Sequence, residues 1–206
     1  MLIKKFYVSL ILSASSISFF ANSVSECKNK CNAEFGTKIG INNITKAFSN
    51  CNDKCISDAH NYIRLKNNKK IYTGMKWQCV EYARRWLIEN KGYTFDSVTY
   101  AYQIWNFNTV KNIYTNRLKK LKKYKNLETK VKPEVGDMLI QDNTHNVAGH
   151  ISIITSVGKD SITIAEQNYT NNNWKNKSSS RHLKLKRNKD GNYLVHDKTI
   201  IGWMRV

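Results

Sequence analysis

The sequence predicts an α+β fold, one helix followed by an antiparallel sheet, preceded by a disulfide-stapled helical hairpin. Three observations carry this reading. Residues 79–90 have a helical period, with Val80, Ala83 and Leu87 at i, i+3 and i+7 and Gly92 placed as a C-cap. Downstream, residues 150–157 and 161–168 are rich in Ile, Thr and Val and read as strands, with Gly158-Lys159-Asp160 between them as a hairpin turn. Upstream, Cys27 and Cys31 are four apart, and so are Cys51 and Cys55. A helix followed by antiparallel strands is an α+β pattern.

The first 23 residues read as a secretory signal peptide. Lys4 and Lys5 form a positive start, an apolar stretch follows from Phe6 to Phe20, and Ala21-Asn22-Ser23 is a small-x-small cleavage site. A retained anchor is the alternative reading, although the stretch is short for a span of ~20 residues. No later segment resembles a transmembrane helix. A secreted or periplasmic protein is expected.

Residues 24–70 read as a separate unit. On a helix, cysteines four apart share a face. Gly36-Thr37-Lys38-Ile39-Gly40 would break the chain between two helices, and Thr45 would cap the second. Folding them back antiparallel sets Cys27 opposite Cys55 and Cys31 opposite Cys51, which predicts those two disulfides. A four-cysteine zinc site is the rival. It fits less well, because structural zinc sites more often use C-x2-C knuckles and an exported chain meets an oxidising compartment.

Residues 71–206 suffice for one domain. Beyond the helix and the hairpin, residues 137–141 form a short apolar strand after Pro133-Glu134-Val135-Gly136, and residues 199–204 form a last strand. One Pro and nine Gly in 206 residues exclude collagen-like and Pro-rich architectures.

The formal net charge is +19, from 27 Lys, 7 Arg and 15 acidic residues. With 25 Asn as well, a composition rich in Lys and Asn can reflect genome bias as readily as a function. The densest run, residues 117–132, has eight basic residues against Glu128. It reads as a solvated face that could also meet an anionic surface. No nucleic-acid fold motif accompanies it, so no specific nucleic-acid partner is expected.

If the four upstream cysteines pair, Cys79 is the free one. A lone cysteine is usually a small buried hydrophobe. This one sits at a predicted helix N-terminus, where unpaired backbone N–H groups and the helix dipole favour thiolate. Candidate bases lie downstream. With a three-residue hairpin loop, paired positions sum to 318, so His150, Glu166 and Asn168 share one face. Glu166 can then accept from one ring nitrogen of His150 and leave the other for the thiol. An even-length loop would separate the two residues onto opposite faces. His145 is a rival base in a polar loop. His60, His182 and His196 read as surface residues.

The segment Trp77-Gln78-Cys79-Val80-Glu81-Tyr82-Ala83-Arg84-Arg85-Trp86-Leu87 resembles the nucleophile segment of the CHAP family, the cysteine- and histidine-dependent amidohydrolases and peptidases. Gly136-Asp137-Met138-Leu139-Ile140, Gly149-His150-Ile151-Ser152-Ile153 and Ala165-Glu166-Gln167-Asn168-Tyr169 are similar to its later blocks, in order. Phe95-Asp96-Ser97, Ala101-Tyr102-Gln103-Ile104-Trp105 and Gly202-Trp203-Met204-Arg205 also look like the amidase domains of glutathionylspermidine and trypanothione synthetase–amidases. The resemblance covers residues 71–206. It implies a papain-like fold with Cys79 as nucleophile, His150 as base and Glu166 as the orienting acid. It further implies Arg84 as a substrate-contacting residue and Gln78 and Asn168 as polar groups lining the site.

The expected chemistry is cleavage of an amide without metal or organic cofactor. Two substrate classes stay open: a glutathione–polyamine conjugate, and the peptide part of peptidoglycan. A non-catalytic cationic binding module is the reading that remains if the thiol is inert.

Overall fold

The computed structural model describes residues 27–206. The signal peptide expected at residues 1–23 lies outside the described residues. The chain runs through β1 (Lys38–Asn42), β2 (Thr45–Phe48), β3 (His60–Arg64), β4 (Lys70–Met75), helix α1 (Cys79–Lys91), β5 (Tyr93–Thr94) and a 3₁₀ helix (Ala101–Asn106). Then come β6 (Thr109–Asn112), β7 (Leu118–Lys120), β8 (Lys122–Lys125), β9 (Met138–Gln141), β10 (His150–Val157), β11 (Ser161–Ala165), β12 (Arg181–Arg187), β13 (Tyr193–Val195) and β14 (Ile200–Arg205).

The α+β class holds, with far more sheet than helix. Seven strands pair in the order β13-β12-β11-β10-β9-β14-β8, every neighbour antiparallel. Alternation sorts their side chains to two faces. Met138, Ile140, Ile151, Ile153 and Met204 join Tyr82, Ala83, Trp86 and Leu87 of α1 in one core. Leu139, Ile154, Ile162, Ile164 and Trp203 build a second core. Helix α1 starts at Cys79 after Gln78, whose backbone is extended and whose side chain makes no cap. It stops where Gly92 takes the left-handed conformation at φ 72° and its N–H reaches back to Ile88 and Leu87. Glu81 in the first turn and Lys91 in the last suit the helix dipole.

The helical hairpin expected at 24–70 is corrected. This segment is strand and loop among the described residues, not helix. Gly36 and Gly40 do not separate two helices. Strand β1 begins between them and pairs antiparallel with β2, and Thr45 opens β2 rather than capping a helix. The disulfides are those expected, Cys27–Cys55 and Cys31–Cys51, but they staple loops on either side of the β1–β2 hairpin. The four-residue spacing reflects loop geometry here, with Cys51 itself at φ 71°. Nor does the segment stand apart from the domain. Ile39 and Ala47 belong to the core under α1. The Trp86 indole N–H donates to Asn42 at 2.8 Å, and the Thr45 hydroxyl donates to Glu89. The boundary set between residues 70 and 71 falls inside β4, which pairs with β3.

The β10–β11 register carries the site. Ile153 pairs with Ala165 and Ile154 with Ile164, the register of sum 318 expected near the strand ends. Toward the turn it shifts, and Val157 pairs with Ile162. The closing loop is therefore even, which alone would have put His150 and Glu166 on opposite faces. A bulge between Ile154 and Ser156 takes up one residue and restores the phase.

Candidate thiol–imidazole–carboxylate site

Cys79 is the free cysteine among the described residues, and it is buried. It is the first residue of α1, held against the start of β10. Its thiol faces His150, and backbone groups of Ile151 and Val80 also act on the sulfur. Burial alone would push the thiol pKa up. The His150 charge, its hydrogen bond and the two backbone groups outweigh burial and bring it below the ordinary 9.0.

His150 sits at the first position of β10 and is 6% exposed. Its Nε2 lies 2.9 Å from Glu166 Oε2, which leaves Nδ1 for the thiol. Burial works against the imidazolium. The Cys79 thiolate and the Glu166 carboxylate prevail and raise its pKa to about 9. Glu166 is 2% exposed and just past β11. Burial would raise its pKa, but hydrogen bonds from His150 and Arg181 hold it down at about 2. The shifts favour the thiolate form of Cys79, the imidazolium form of His150 and an ionised Glu166.

Arg181 is a residue that sequence reasoning missed. Its Nε and Nη2 donate to the two Glu166 oxygens at 2.6 and 3.0 Å, and the Ser180 hydroxyl adds a third donor at 2.9 Å. The Tyr169 ring covers the Arg181 guanidinium at 3.6 Å and lies 5.3 Å from the His150 ring. The signal was present but unread: Arg181–Arg187 alternates, with Leu183 and Leu185 inward, and that strand pairs with β11.

The other expected residues divide. Gln78 lines the cavity beside Cys79, and Asn168 donates to Gln78 Oε1 at 2.7 Å. Arg84 lines the same cavity but is anchored by three backbone carbonyls, Phe95 at 3.2 Å, Thr73 at 2.9 Å and Asp96 at 3.0 Å. It also lies over the Phe95 ring at 4.8 Å. No carboxylate forms an ion pair with it among the described residues, and burial lowers its pKa. His145, the rival base, is exposed in the loop before β10, and His60, His182 and His196 are exposed as expected.

The cavity has a volume of about 240 Å³ and is mostly apolar, with Ile56, Tyr72, Met75, Val98 and Tyr100 on its walls. Its acid, Glu81, is fully buried and tied to Arg85 at 2.7 Å. Two of the quoted motifs prove to be scaffold. Asp137 accepts both prongs of Arg205 at 2.8 Å, which ties β9 to β14.

A thiol at a helix end, an imidazole on the adjacent strand and a carboxylate behind it define a class, the thiol–imidazole–acid site on an α+β scaffold. The family model for the CHAP domain matches residues 70–168, and that segment belongs to the CHAP domain family. The chain is 37% identical over 118 residues to trypanothione synthetase of Crithidia fasciculata, covering 57% of this chain and 18% of that protein. It is 32% identical over 131 residues to the bifunctional glutathionylspermidine synthetase/amidases of Escherichia coli and Shigella flexneri, covering 60% of this chain and 21% of each. The chain thus spans about a fifth of the length of these curated relatives. The segment holding both disulfides lies N-terminal to the CHAP match.

Proposed function

We propose that the protein is an exported thiol amidohydrolase that cleaves an amide C–N bond through Cys79, His150 and Glu166, on a papain-like fold. The observation that carries this reading is the buried Cys79 thiol facing His150, whose Nε2 meets Glu166 Oε2 at 2.9 Å. The CHAP match and the amidase named among the relatives support the reaction class.

The Cys79 thiolate attacks the amide carbonyl carbon, forming a C–S bond and shifting the carbonyl electrons to oxygen. Backbone N–H groups at the start of α1 face this oxyanion. Such donors are typically worth ~3 kcal/mol each. The His150 imidazolium gives its proton to the amide nitrogen, the C–N bond breaks and the amine leaves. Water then loses a proton to His150 and its oxygen attacks the thioester. The C–S bond breaks, the acid leaves and the thiolate returns. Glu166 keeps Nε2–H engaged throughout, so Nδ1 remains the working nitrogen.

The substrate is a glutathionylspermidine-type amide. Arg84 beside the cavity suits a substrate carboxylate, since it has no carboxylate partner among the described residues. A second reading, a peptidoglycan amidase or endopeptidase, is favoured by the export pattern at residues 1–23 and by exposed lysines of β7 and β8, which would suit an anionic wall. Purified protein and its Cys79→Ala variant, incubated with glutathionylspermidine and with purified peptidoglycan, test both. Amine release by wild type alone from one substrate assigns the class. Release by both proteins, or by neither, sinks the thiol mechanism.

A further inference from the structure

The disulfide-stapled segment carries one buried side chain that touches both walls of the site. Asn50 is fully buried. Its Oδ1 accepts from the Trp77 backbone N–H at 3.1 Å and from Gln78 Nε2 at 3.4 Å, the two residues before Cys79. Its Nδ2 donates to Asn168 Oδ1 at 3.1 Å, two residues after Glu166. Asn168 Nδ2 in turn donates to Gln78 Oε1 at 2.7 Å. The three carboxamides therefore close a ring in which each donates to the next. Such a ring fixes the orientation of all three amides, because reversing one would set donor against donor and acceptor against acceptor.

The disulfides frame this ring. Asn50 precedes Cys51, bonded to Cys31, and Asn50 Nδ2 also donates to the Cys55 carbonyl at 2.8 Å, with Cys55 bonded to Cys27. That same carbonyl accepts from Gln78 Nε2 at 3.3 Å. The Asn50 backbone N–H donates to Asn171 Oδ1 at 2.8 Å.

We propose that Asn50 is a positioning residue of the Cys79 site, so that the stapled segment outside the CHAP match is a working part of the active centre. Asn50 holds the Trp77–Gln78 backbone that launches α1, and with the Cys55 carbonyl it holds the Gln78 NH₂ while Asn168 holds Gln78 Oε1. Losing it frees both walls: Cys79 shifts against His150, and Gln78 loses its orientation. The two disulfides act through Asn50. The proposal rests on the thiol amidase reading for its kinetic arm alone.

The test compares wild type with Asn50→Ala and with the double variant Cys31→Ala/Cys51→Ala. Two readouts are the pH dependence of Cys79 alkylation by iodoacetamide and, on whichever amide wild type cleaves, kcat and KM. Melting curves establish how much protein is folded. The expected result for folded Asn50→Ala is at least fivefold slower alkylation at pH 7, with an inflection moved to higher pH. Its kcat should fall at least tenfold with KM within about twofold, and the double variant should shift in the same direction. An unchanged alkylation profile in folded variants overturns the proposal. If wild type cleaves no amide, the amidase reading fails while alkylation still decides the role of Asn50. A measurement on wild type needs no variant to fold: the Asn50 side-chain amide protons should exchange slowly, and their NMR signals should move when Cys79 is alkylated. Fast exchange and unmoved signals likewise overturn it.

Discussion

Arg181 grips Glu166 with both prongs of its guanidinium, Nε on Oε1 at 2.6 Å and Nη2 on Oε2 at 3.0 Å. This fork leaves one Glu166 oxygen shared with His150 and fixes the plane of the carboxylate. Arg181→Met removes both bonds and a half-buried positive charge, so the Glu166 pKa climbs from about 2 toward its ordinary 4.5. Activity should fall about tenfold, less than the ~10²–10⁴-fold typical of losing an acid–base group itself. The acid limb of kcat/KM should move to higher pH. Arg181→Lys restores charge without the fork and should lie between. The sign for stability follows from the lowered pKa. The Glu166 contribution is present above about 4.5 and is lost as pH falls through about 2. Urea midpoints at pH 7 and pH 3 should show the wild-type advantage over Arg181→Met shrinking at the lower pH.

The Cys79–His150 pair sets a pH window. The thiol pKa lies below 9.0 and the imidazolium pKa is raised to about 9, so the ion pair persists between the two. Activity should fall on the alkaline side near 9, as His150 loses the proton it must give the leaving amine. Cys79→Ala removes the largest influence raising that pKa, while Glu166 remains. The imidazole titration followed by NMR should therefore shift to lower pH in Cys79→Ala, and hydrolysis should vanish with the fold intact. Because the His150 pKa is raised from 6.5, its stabilising contribution is complete below 6.5 and is lost as pH rises through about 9. A wild-type imidazole titrating near 6.5 would contradict the pairing.

How much of this was legible depends on what each residue answers to. The helix from Cys79 and its stop at Gly92 were readable, because periodicity and a left-handed cap are local. The facing of His150 and Glu166 was readable for a partly wrong reason: the loop is even, and an unforeseen bulge in β10 compensates. The cysteine pairing was readable while its scaffold was not, since i, i+4 spacing suits a helix and a pair of stapled loops equally. Asn50 and Arg181 were invisible because their partners lie far along the chain, with Asn168 at 118 residues from Asn50 and Glu166 at 15 residues from Arg181, across tertiary contacts that one sequence does not display.

Glu81, two residues after Cys79, is scaffold by this geometry. Its carboxylate accepts from Arg85 at 2.7 and 3.2 Å, Asn61 at 2.9 Å, Thr73 at 3.0 Å and Gln167 at 3.0 Å. Glu81→Ala strands the buried Arg85 charge and should destabilise by about 3–5 kcal/mol, the usual result of breaking a buried pair. Denaturant unfolding measures this directly. A loss of activity without a loss of stability would instead give Glu81 a part in the chemistry.

Gly40 tests whether the stapled segment and the domain fold as one. A Cβ at Gly40 would fall into the Trp174 ring. That ring packs edge-on against Tyr82 of α1, with centroids 6.0 Å apart, and the Trp174 backbone N–H donates to the Ile39 carbonyl at 2.8 Å. Gly40→Ala must displace Trp174 and should cost about 1–3 kcal/mol, as overpacking usually does. Gly158→Ala is the control: a Cβ there meets the Ser161 carbonyl at 3.4 Å, ordinary contact, so the change should be small. Because Ile39, Trp174 and Tyr82 share one core, the Gly40→Ala loss should appear as one lower transition by tryptophan fluorescence and circular dichroism alike. Two separated transitions would mean that the segment folds apart from the domain, and Asn50 could not then hold Cys79 in place.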